Sequence, residues 1–455
     1  MKEHRAAGLE QVNPLLTDLY QLTMLQAYYS SGMEETAVFE FFVRKLPAGR
    51  RFLLAAGLEQ LLAYLQELQF TETELQWLRD SGRFSDACLE RLADWRFSGD
   101  VAAMPEGSVF FANEPILRVT APLPEAQLIE PIAINLLHFQ TLIASKAARF
   151  RLAAPDGLLV DFGLRRAHTP DAGLLAARAA VIGGFDGTAT VAAGAAFDAA
   201  LYGTMAHSYI QAWGDEYAAF AHFARVHPDN AVLLIDTYDT LAATDKVVRL
   251  AHELQQEGIA IRAVRIDSGD LDNLSRQVRA KLDAGGCQAI RVLVSGGLDE
   301  HEIAGYVAAG APIDGYGVGT QLDCSADHPY LDCAYKLQEY AGRPCRKRST
   351  GKATWPGRKQ VYRNLTDSGL FDDDVLALES ESQAGKALLQ PVMRQGQRLH
   401  DSETTEAIQQ RVGDGLARLP ASLRHLQADT DASGYEVRIS EELRALAESV
   451  DREAD

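Results

Sequence analysis

The chain has 455 residues, 47% of them hydrophobic, with 44 Lys and Arg against 63 Asp and Glu for a formal net charge of −19. That length exceeds one ordinary domain and supports a large core, while the acidic balance excludes nonspecific binding to nucleic acid or to an anionic membrane surface. Any anionic ligand must therefore be held by a local basic site set against the global field.

No run approaches the roughly 20 apolar residues of a membrane span, and Met1-Lys-Glu-His-Arg is followed by no apolar signal segment, so a cytoplasmic location is expected. The five cysteines, Cys88, Cys287, Cys324, Cys333 and Cys345, form no C-x-x-C pair. They read as reduced thiols, with zinc held by Cys324, Cys333 and Cys345 as the alternative.

Residues before 15 read as disordered. Residues 15–31 carry apolar side chains at near-helical spacing, with Thr17 or Asp18 as the cap. Residues 37–44 alternate and are rich in aromatic and β-branched types, as a strand is, and 52–66 and 71–81 read as helices. From 99 to 130 short β-like runs are punctuated by Pro105, Gly107, Pro115, Pro122 and Pro124, which predicts a small sheet.

A long apolar helix over 132–151 leads to the strand 157–161. Strands then follow at 232–236, 263–267 and 292–295, alternating with helices that include 245–257, 271–284 and 299–309. Strand ends lie about 25 to 30 residues apart, the length of one βα unit. The expected fold is an irregular TIM-like parallel α/β barrel of about six to seven strands, over 151–335. A smaller α+β domain would comprise residues 1–150 and segments of 336–455. Beyond 335 a basic segment, 343–363, gives way to sequence that reads as helical and acidic. No Gly/Ser or Pro-rich linker marks it off, so it is expected to fold back on the N-terminal sheet.

The chemistry sits in polar and glycine-rich motifs that mostly follow these short strands: Asp161-Phe-Gly-Leu-Arg-Arg166, Gly184-Phe-Asp-Gly-Thr188, Gly203-Thr-Met-Ala-His-Ser208, Arg265-Ile-Asp-Ser-Gly-Asp270, Ser295-Gly-Gly297 and Gly317-Val-Gly-Thr320. In a parallel barrel these positions converge on one face. Ser295, Gly296, Gly297, Gly317, Gly319 and Thr320 suit a phosphate held by amides and a hydroxyl, although two tight turns would look the same. Arg265 and Asp267 share a face of one strand, fit to grip a carboxylate or phosphate and to meet ribose or hydrated magnesium, or to form a salt bridge at the barrel mouth.

Arg165 and Arg166 suit an anion, Phe162 offers an aromatic face, and His207 is a candidate base, proton carrier or phosphoryl acceptor. Gly351-Lys352-Ala353 lacks the hydroxyl of a Walker A loop, which leaves that basic segment as a phosphate-facing or a merely solvated loop. The pair Asp236 and Asp239 only faintly resembles the adjacent acids of type I phosphoribosyltransferases. From the residues alone, the chain reads as an enzyme acting on a phosphorylated sugar or nucleotide.

Taken in order, these motifs, together with Leu16-Thr-Asp-Leu-Tyr20-Gln-Leu-Thr-Met24, Phe39-Glu-Phe-Phe-Val-Arg44, Gly315-Tyr-Gly317 and Lys352-Ala-Thr-Trp-Pro-Gly-Arg-Lys-Gln-Val-Tyr362, resemble the nicotinate phosphoribosyltransferase family of type II phosphoribosyltransferases over nearly the whole chain. The resemblance implies that nicotinate and 5-phosphoribosyl 1-pyrophosphate give nicotinate mononucleotide and pyrophosphate, with Mg²⁺ and with ATP hydrolysis coupled through a phosphohistidine at His207. It implies a homodimer, with Tyr20 and Phe162 sandwiching the pyridine ring. Thr204 and Arg265 would hold nicotinate, Arg165 phosphate and Asp267 ribose or metal. Gly296, Gly297, Gly317, Gly319 and Thr320 would hold the 5-phosphate.

The nearest rival, nicotinamide phosphoribosyltransferase, carries Gly-Thr-Asp-Thr where this chain has Gly187-Thr-Ala-Thr190, so the acceptor for an amide substrate is missing here. A decarboxylating quinolinate enzyme would need more basic residues. A non-catalytic phosphosugar-binding barrel remains the alternative from another class.

Overall fold

The computed structural model describes residues 12–426 and 434–454; the first part of the segment read as disordered lies outside them. The chain divides into two compact units, Met1–Ser145 with His328–Asp455, and Lys146–Asp327. The first division falls inside the helix Glu130–Ala153, and everything after residue 327 belongs with the N-terminal unit.

In that N-terminal unit the strand Thr36–Val43 is buried along seven of its eight residues and pairs antiparallel with Cys333–Tyr340 on one side and Pro115–Pro122 on the other. Asp100–Ala103 extends the sheet and is itself joined by Gln390–Arg394, giving seven strands where a small sheet was expected. The long-range partners, from residues 333–340 and 390–394, are invisible to any local reading of 99–130.

Buried charges hold the C-terminal part in place. Glu40 and Lys359 are 0% and 3% exposed; their side chains meet at 2.8 Å, and Glu40 also accepts from the Lys359 amide at 2.9 Å. Arg363 is held bidentately by Asp374 at 2.6 and 2.9 Å and donates to Val109 O at 2.8 Å. Burial, and then the charge of Asp374, push the carboxyl of Glu114 well above its ordinary range.

Two expectations are corrected in this unit. Residues 52–66 do not begin as helix: Leu53–Leu54 is a strand paired with Val109–Phe110, and the helix is Leu58–Glu67. Gly57 makes the break, at φ 97 and with its backbone so close to Leu136 that a Cβ would lie 2.5 Å from the carbonyl oxygen. After the basic segment the chain is largely β rather than helical, with strands Lys359–Leu365, Phe371–Leu378 and Gln390–Arg394 preceding the helices Thr405–Arg418 and Glu441–Ala454. Asp372, Asp373 and Asp374 inside the second of these strands disguise it as solvated helix.

The second unit is built on a six-stranded parallel sheet in the order Gly187–Thr188, Leu158–Asp161, Gly315–Val318, Arg291–Ser295, Ala263–Ile266, Val232–Leu234. Its helices start where acidic residues can satisfy free amides. Asp239, Asp270 and Asp299 cap Thr240–Gln256, Leu271–Ala284 and Glu300–Ala308, each accepting from an amide two or three residues on.

The edges of the sheet are linked by the irregular segment 201–205. Leu201 bridges to Thr188 in parallel, Gly203 O accepts from Asn230 Nδ2 at 2.9 Å, and Met205 Sδ lies 3.3 Å from the Leu234 amide. The result is the irregular parallel α/β barrel expected, with six strands and a non-strand closure.

Side chains fill its interior in layers. Leu158, Val160 and Phe162 share one face of their strand, and Gly315 and Gly317 make room for them: a Cβ at Gly315 would approach Leu158 Cβ to 2.9 Å, and one at Gly317 would enter the Phe162 ring at 2.5 Å. Among the described residues no helix is long and apolar enough to cross a membrane, and no group of three or more His, Cys, Asp or Glu side chains is placed to hold a metal ion. The cysteine site weighed from sequence is therefore absent among them; all five thiols are free.

Replacing Arg363 with Met leaves Asp374 buried and unpaired, so unfolding stability should fall by about 3 to 5 kcal/mol, read as a lower urea midpoint with an unchanged m value. Gly317→Ala should cost about 1 to 3 kcal/mol by overpacking. Most of that cost should vanish in a Phe162→Ala background, and a double-mutant cycle with no coupling would show that the ring is not what the glycine accommodates.

Candidate active site

Every strand of the barrel delivers a polar residue to its C-terminal end, and the residues interlock. Asp161 accepts from Thr188 Oγ1 at 2.6 Å. Asp236 accepts from the Asp267 amide at 3.1 Å and from Ser268 Oγ at 2.6 Å, and Asp267 accepts from Ser295 Oγ at 2.5 Å. The acids of three strands, two of them adjacent, are thus each tied by a donor from a neighbouring strand end. One oxygen, Oδ1 of Asp236, stays buried without a partner.

Phe162, Tyr202, Thr204, Asn230, Arg265 and Gly317 line a pocket that runs into the barrel interior past Leu158, Val160 and Val232, with a free volume of ≈ 40 Å³. It is narrow because the Arg265 guanidinium lies 5.6 Å from the centre of the Phe162 ring. A flat ring fits against Phe162 only as Arg265 moves aside. Burial pulls the Arg265 pKa down, Asp267 and Asp236 oppose that shift, and Arg165 adds to it. Its Nε is buried and unpartnered, so this guanidinium retains donor capacity for an anion.

Thr204 spends its hydroxyl on the carbonyl of Met205 at 3.0 Å. His207 is the first residue of the helix His207–Trp213; its Nδ1 lies 3.1 Å from Thr237 Oγ1, leaving Nε2 without a partner among the described residues. Gly296 and Gly297 both have positive φ, 108° and 73°, and at Gly296 a Cβ would fall 2.2 Å from Asp267 O. That turn requires glycine and lays its backbone against the Asp267 strand end. Thr320 opens the short helix Thr320–Asp323 directly after Gly319. Arg165 and Arg166 are exposed beyond Phe162.

The geometry therefore gathers Phe162, Thr204, Arg265 and Gly317 in one pocket, joins Asp267 to Ser295, and sets His207 on Thr237. Tyr20 lies in the other unit, 48% exposed on the helix Leu19–Ser31. Sequence reasoning weighed Asp236 only in its pair with Asp239 and set it aside, and it missed Thr237, Tyr202 and Asn230. Asp236 had a signal, since it follows an apolar strand at the same position as Asp161 and Asp267. Tyr202 had none, because it reaches the pocket from the irregular closure, and Asn230 had none, because it lies in the turn Pro228–Asn230 ahead of a strand.

Residues 15–138 match the nicotinate phosphoribosyltransferase N-terminal domain, residues 158–349 the nicotinate phosphoribosyltransferase family, and residues 382–447 its C-terminal domain. A nicotinate phosphoribosyltransferase of Mycobacterium tuberculosis is 46% identical over 435 residues, covering 95% of this chain and 93% of its own. One from Bacillus subtilis is 43% identical over 376 residues, covering 81% and 76%. The crystal structure of human nicotinic acid phosphoribosyltransferase superposes with a TM-score of 0.83 at 28% identity, covering 96% of this chain and 100% of that one. The strand-end acids, the arginine over an aromatic ring and the glycine turns thus stand in a chain that belongs to the nicotinate phosphoribosyltransferase family.

Proposed function

We propose that this enzyme is a nicotinate phosphoribosyltransferase of NAD biosynthesis. It joins nicotinate to 5-phosphoribosyl 1-pyrophosphate and releases pyrophosphate, with ATP hydrolysis coupled through phosphorylation of His207. The observation that carries the reading is Arg265, a buried guanidinium with a free Nε, stacked on Phe162 in the pocket of the barrel. A carboxylate takes that guanidinium bidentately, and the pyridine ring it carries takes the face of Phe162.

The ring nitrogen attacks C1 of the ribose as the bond from C1 to pyrophosphate breaks, through positive charge shared between C1 and the ring oxygen of the sugar. The nitrogen is already nucleophilic, so the protein acts by placement more than by base catalysis. Asp267 lies where it can meet the ribose. Asp236, with its unpartnered oxygen, and Asp267 are the carboxylates that would hold Mg²⁺ alongside substrate phosphates, and a bound ion there would supply positive charge to the leaving pyrophosphate.

The turns at Ser295, Gly296 and Gly297 and at Gly317, Gly319 and Thr320 take the 5-phosphate, and Arg165 takes a further phosphate. Ala189 bears no carboxylate and donates its amide to Asp161 O, so a carboxylate substrate meets no repulsion there. His207 keeps Nε2 free for a phosphoryl group. Phosphorylation would act by linkage, each shift on the order of 1 to 3 kcal/mol. Tyr20, exposed on its helix, is available to cover the pyridine ring of a second subunit in a homodimer.

Mononucleotide formation from phosphoribosyl pyrophosphate should proceed with nicotinate, be strengthened by Mg·ATP, and fall at least tenfold with nicotinamide. His207→Ala should abolish the response to ATP; a variant that still responds would remove the phosphohistidine from the scheme. No turnover of either base would favour a binding-only barrel. Arg265→Lys should lower kcat/KM for nicotinate by about ten- to a hundredfold, because the ammonium loses the two-point grip. Unchanged kcat/KM would place the carboxylate elsewhere.

A further inference from the structure

Two buried acids near the pocket have no part in the scheme above. Asp161 ends the strand Leu158–Asp161 and Asp323 ends the helix Thr320–Asp323, and they are 0% and 3% exposed. Asp161 is well served by donors: Oδ2 accepts from Thr188 Oγ1 at 2.6 Å and Oδ1 from the Gly163 amide at 2.7 Å. Asp323 is not, since both of its oxygens are sealed from solvent with no donor among the described residues. Its carboxyl lies on the turn that follows Phe162, so close to Gly163 that a Cβ there would fall 2.1 Å from Asp323 Cγ. The amide of that same Gly163 donates to Asp161 Oδ1, so the two carboxyls are packed against one residue.

Two carboxyls packed together without solvent cannot both ionise. Asp161, already accepting two hydrogen bonds, is the ionised member, and Asp323 keeps the proton and points its own donor capacity at Asp161. Burial, followed by the charge of Asp161, pushes Asp323 up to about 10. We propose that Asp323, as a neutral acid donating to the Asp161 carboxylate, is a positioning residue. It fixes the turn bearing Phe162 against the loop 317–320 and so sets the affinity for the phosphoribosyl substrate held by that loop. The proposal rests on the phosphate-binding role given to the loop above.

The charged neighbourhood is sparse. Cys324 follows Asp323 and donates to the Arg166 carbonyl at 3.1 Å, and its thiol is pushed up by burial and then by Asp323, with Arg166 opposing. Arg165 and Arg166 on the turn side are exposed. From the helix Pro170–Ile182, which packs against Thr320–Asp323, the charged residues are Asp171 and Arg178; Arg178 lies 5.7 Å from the centre of the Phe197 ring. From the Thr188 strand the facing group is a neutral hydroxyl.

Below about pH 10 Asp323 is neutral and the contact holds; above it a second buried negative charge opens the pair. The parent, Asp323→Asn and Asp323→Ala proteins should be assayed with nicotinate from about pH 7 to about pH 10.5, titrating phosphoribosyl pyrophosphate at each pH and recording thermal unfolding for each protein. The parent KM for phosphoribosyl pyrophosphate should rise at the alkaline end. Asn donates without titrating, so that variant should keep the neutral KM and lose the alkaline rise. Ala should raise KM about tenfold with kcat within about threefold.

An Asn variant that retains the alkaline rise, or that loses affinity at neutral pH while melting like the parent, would overturn the proposal, as would an Ala variant with parental KM. Should the Ala protein not fold, the Asn comparison decides alone. A parent without phosphoribosyl transfer would instead refute the function proposed above.

Discussion

Each acid at the end of a barrel strand is engaged by a donor from the next strand: Asp161 by Thr188, Asp236 by the amide of Asp267, Asp267 by Ser295. The rest of the site depends on this lateral bonding. A carboxylate withdrawn from water is costly unless its lone pairs are filled, and here the filling groups are backbone and hydroxyl donors, not opposing charges. Each acid is thereby fixed to the strand beside it at the mouth of the barrel. Arg265, in the same layer, is the cationic exception. It is held by an aromatic face and left short of acceptors.

The other unit solves a different problem with different means. Its central sheet draws strands from residues 36–43, 115–122, 333–340 and 390–394, so it closes only when distant parts of the chain meet. Glu40 with Lys359 ties that sheet to the strand Lys359–Leu365 of a neighbouring sheet, where Arg363 pairs with Asp374 and donates to Val109 O, all of these side chains almost wholly buried. Such pairs add little net stability over well-packed apolar residues, but an arrangement that separates them is heavily penalised. They select one docking of the C-terminal strands from many that hydrophobic burial alone would permit.

The parallel part of the fold was legible because its signals are local. An apolar run, an acid or glycine at the strand end and an aspartate cap recur through Asp236, Asp239, Asp267, Asp270, Ser295 and Asp299, and the structure keeps that grammar. Phe162 and Arg265 share a pocket because one follows and the other nearly ends a strand of the same parallel sheet, whereas Thr204 reaches it from the irregular closure at 201–205. The C-terminal third was misread because its strand Phe371–Leu378 carries three successive aspartates, of which Asp374 is buried against a partner eleven residues away. Periodicity does not report such a pairing. Asp236 was set aside for a similar reason, since an oxygen left unfilled among the described residues is a property of three-dimensional packing.

The irregular closure at 201–205 has a mechanical corollary. Strands of a sheet share their displacement, because moving one strains the ladder on both sides. This segment joins its neighbours through a single bridge at Leu201, an asparagine amide on Gly203 and a thioether contact at Met205. It has no continuous ladder to either neighbour, and both Thr204 and the helix that begins at His207 follow from it in the chain. A small displacement of Thr204 and Tyr202 can consequently be taken up within that one segment, while the laddered strands next to Asp267 and the glycine turns keep their alignment.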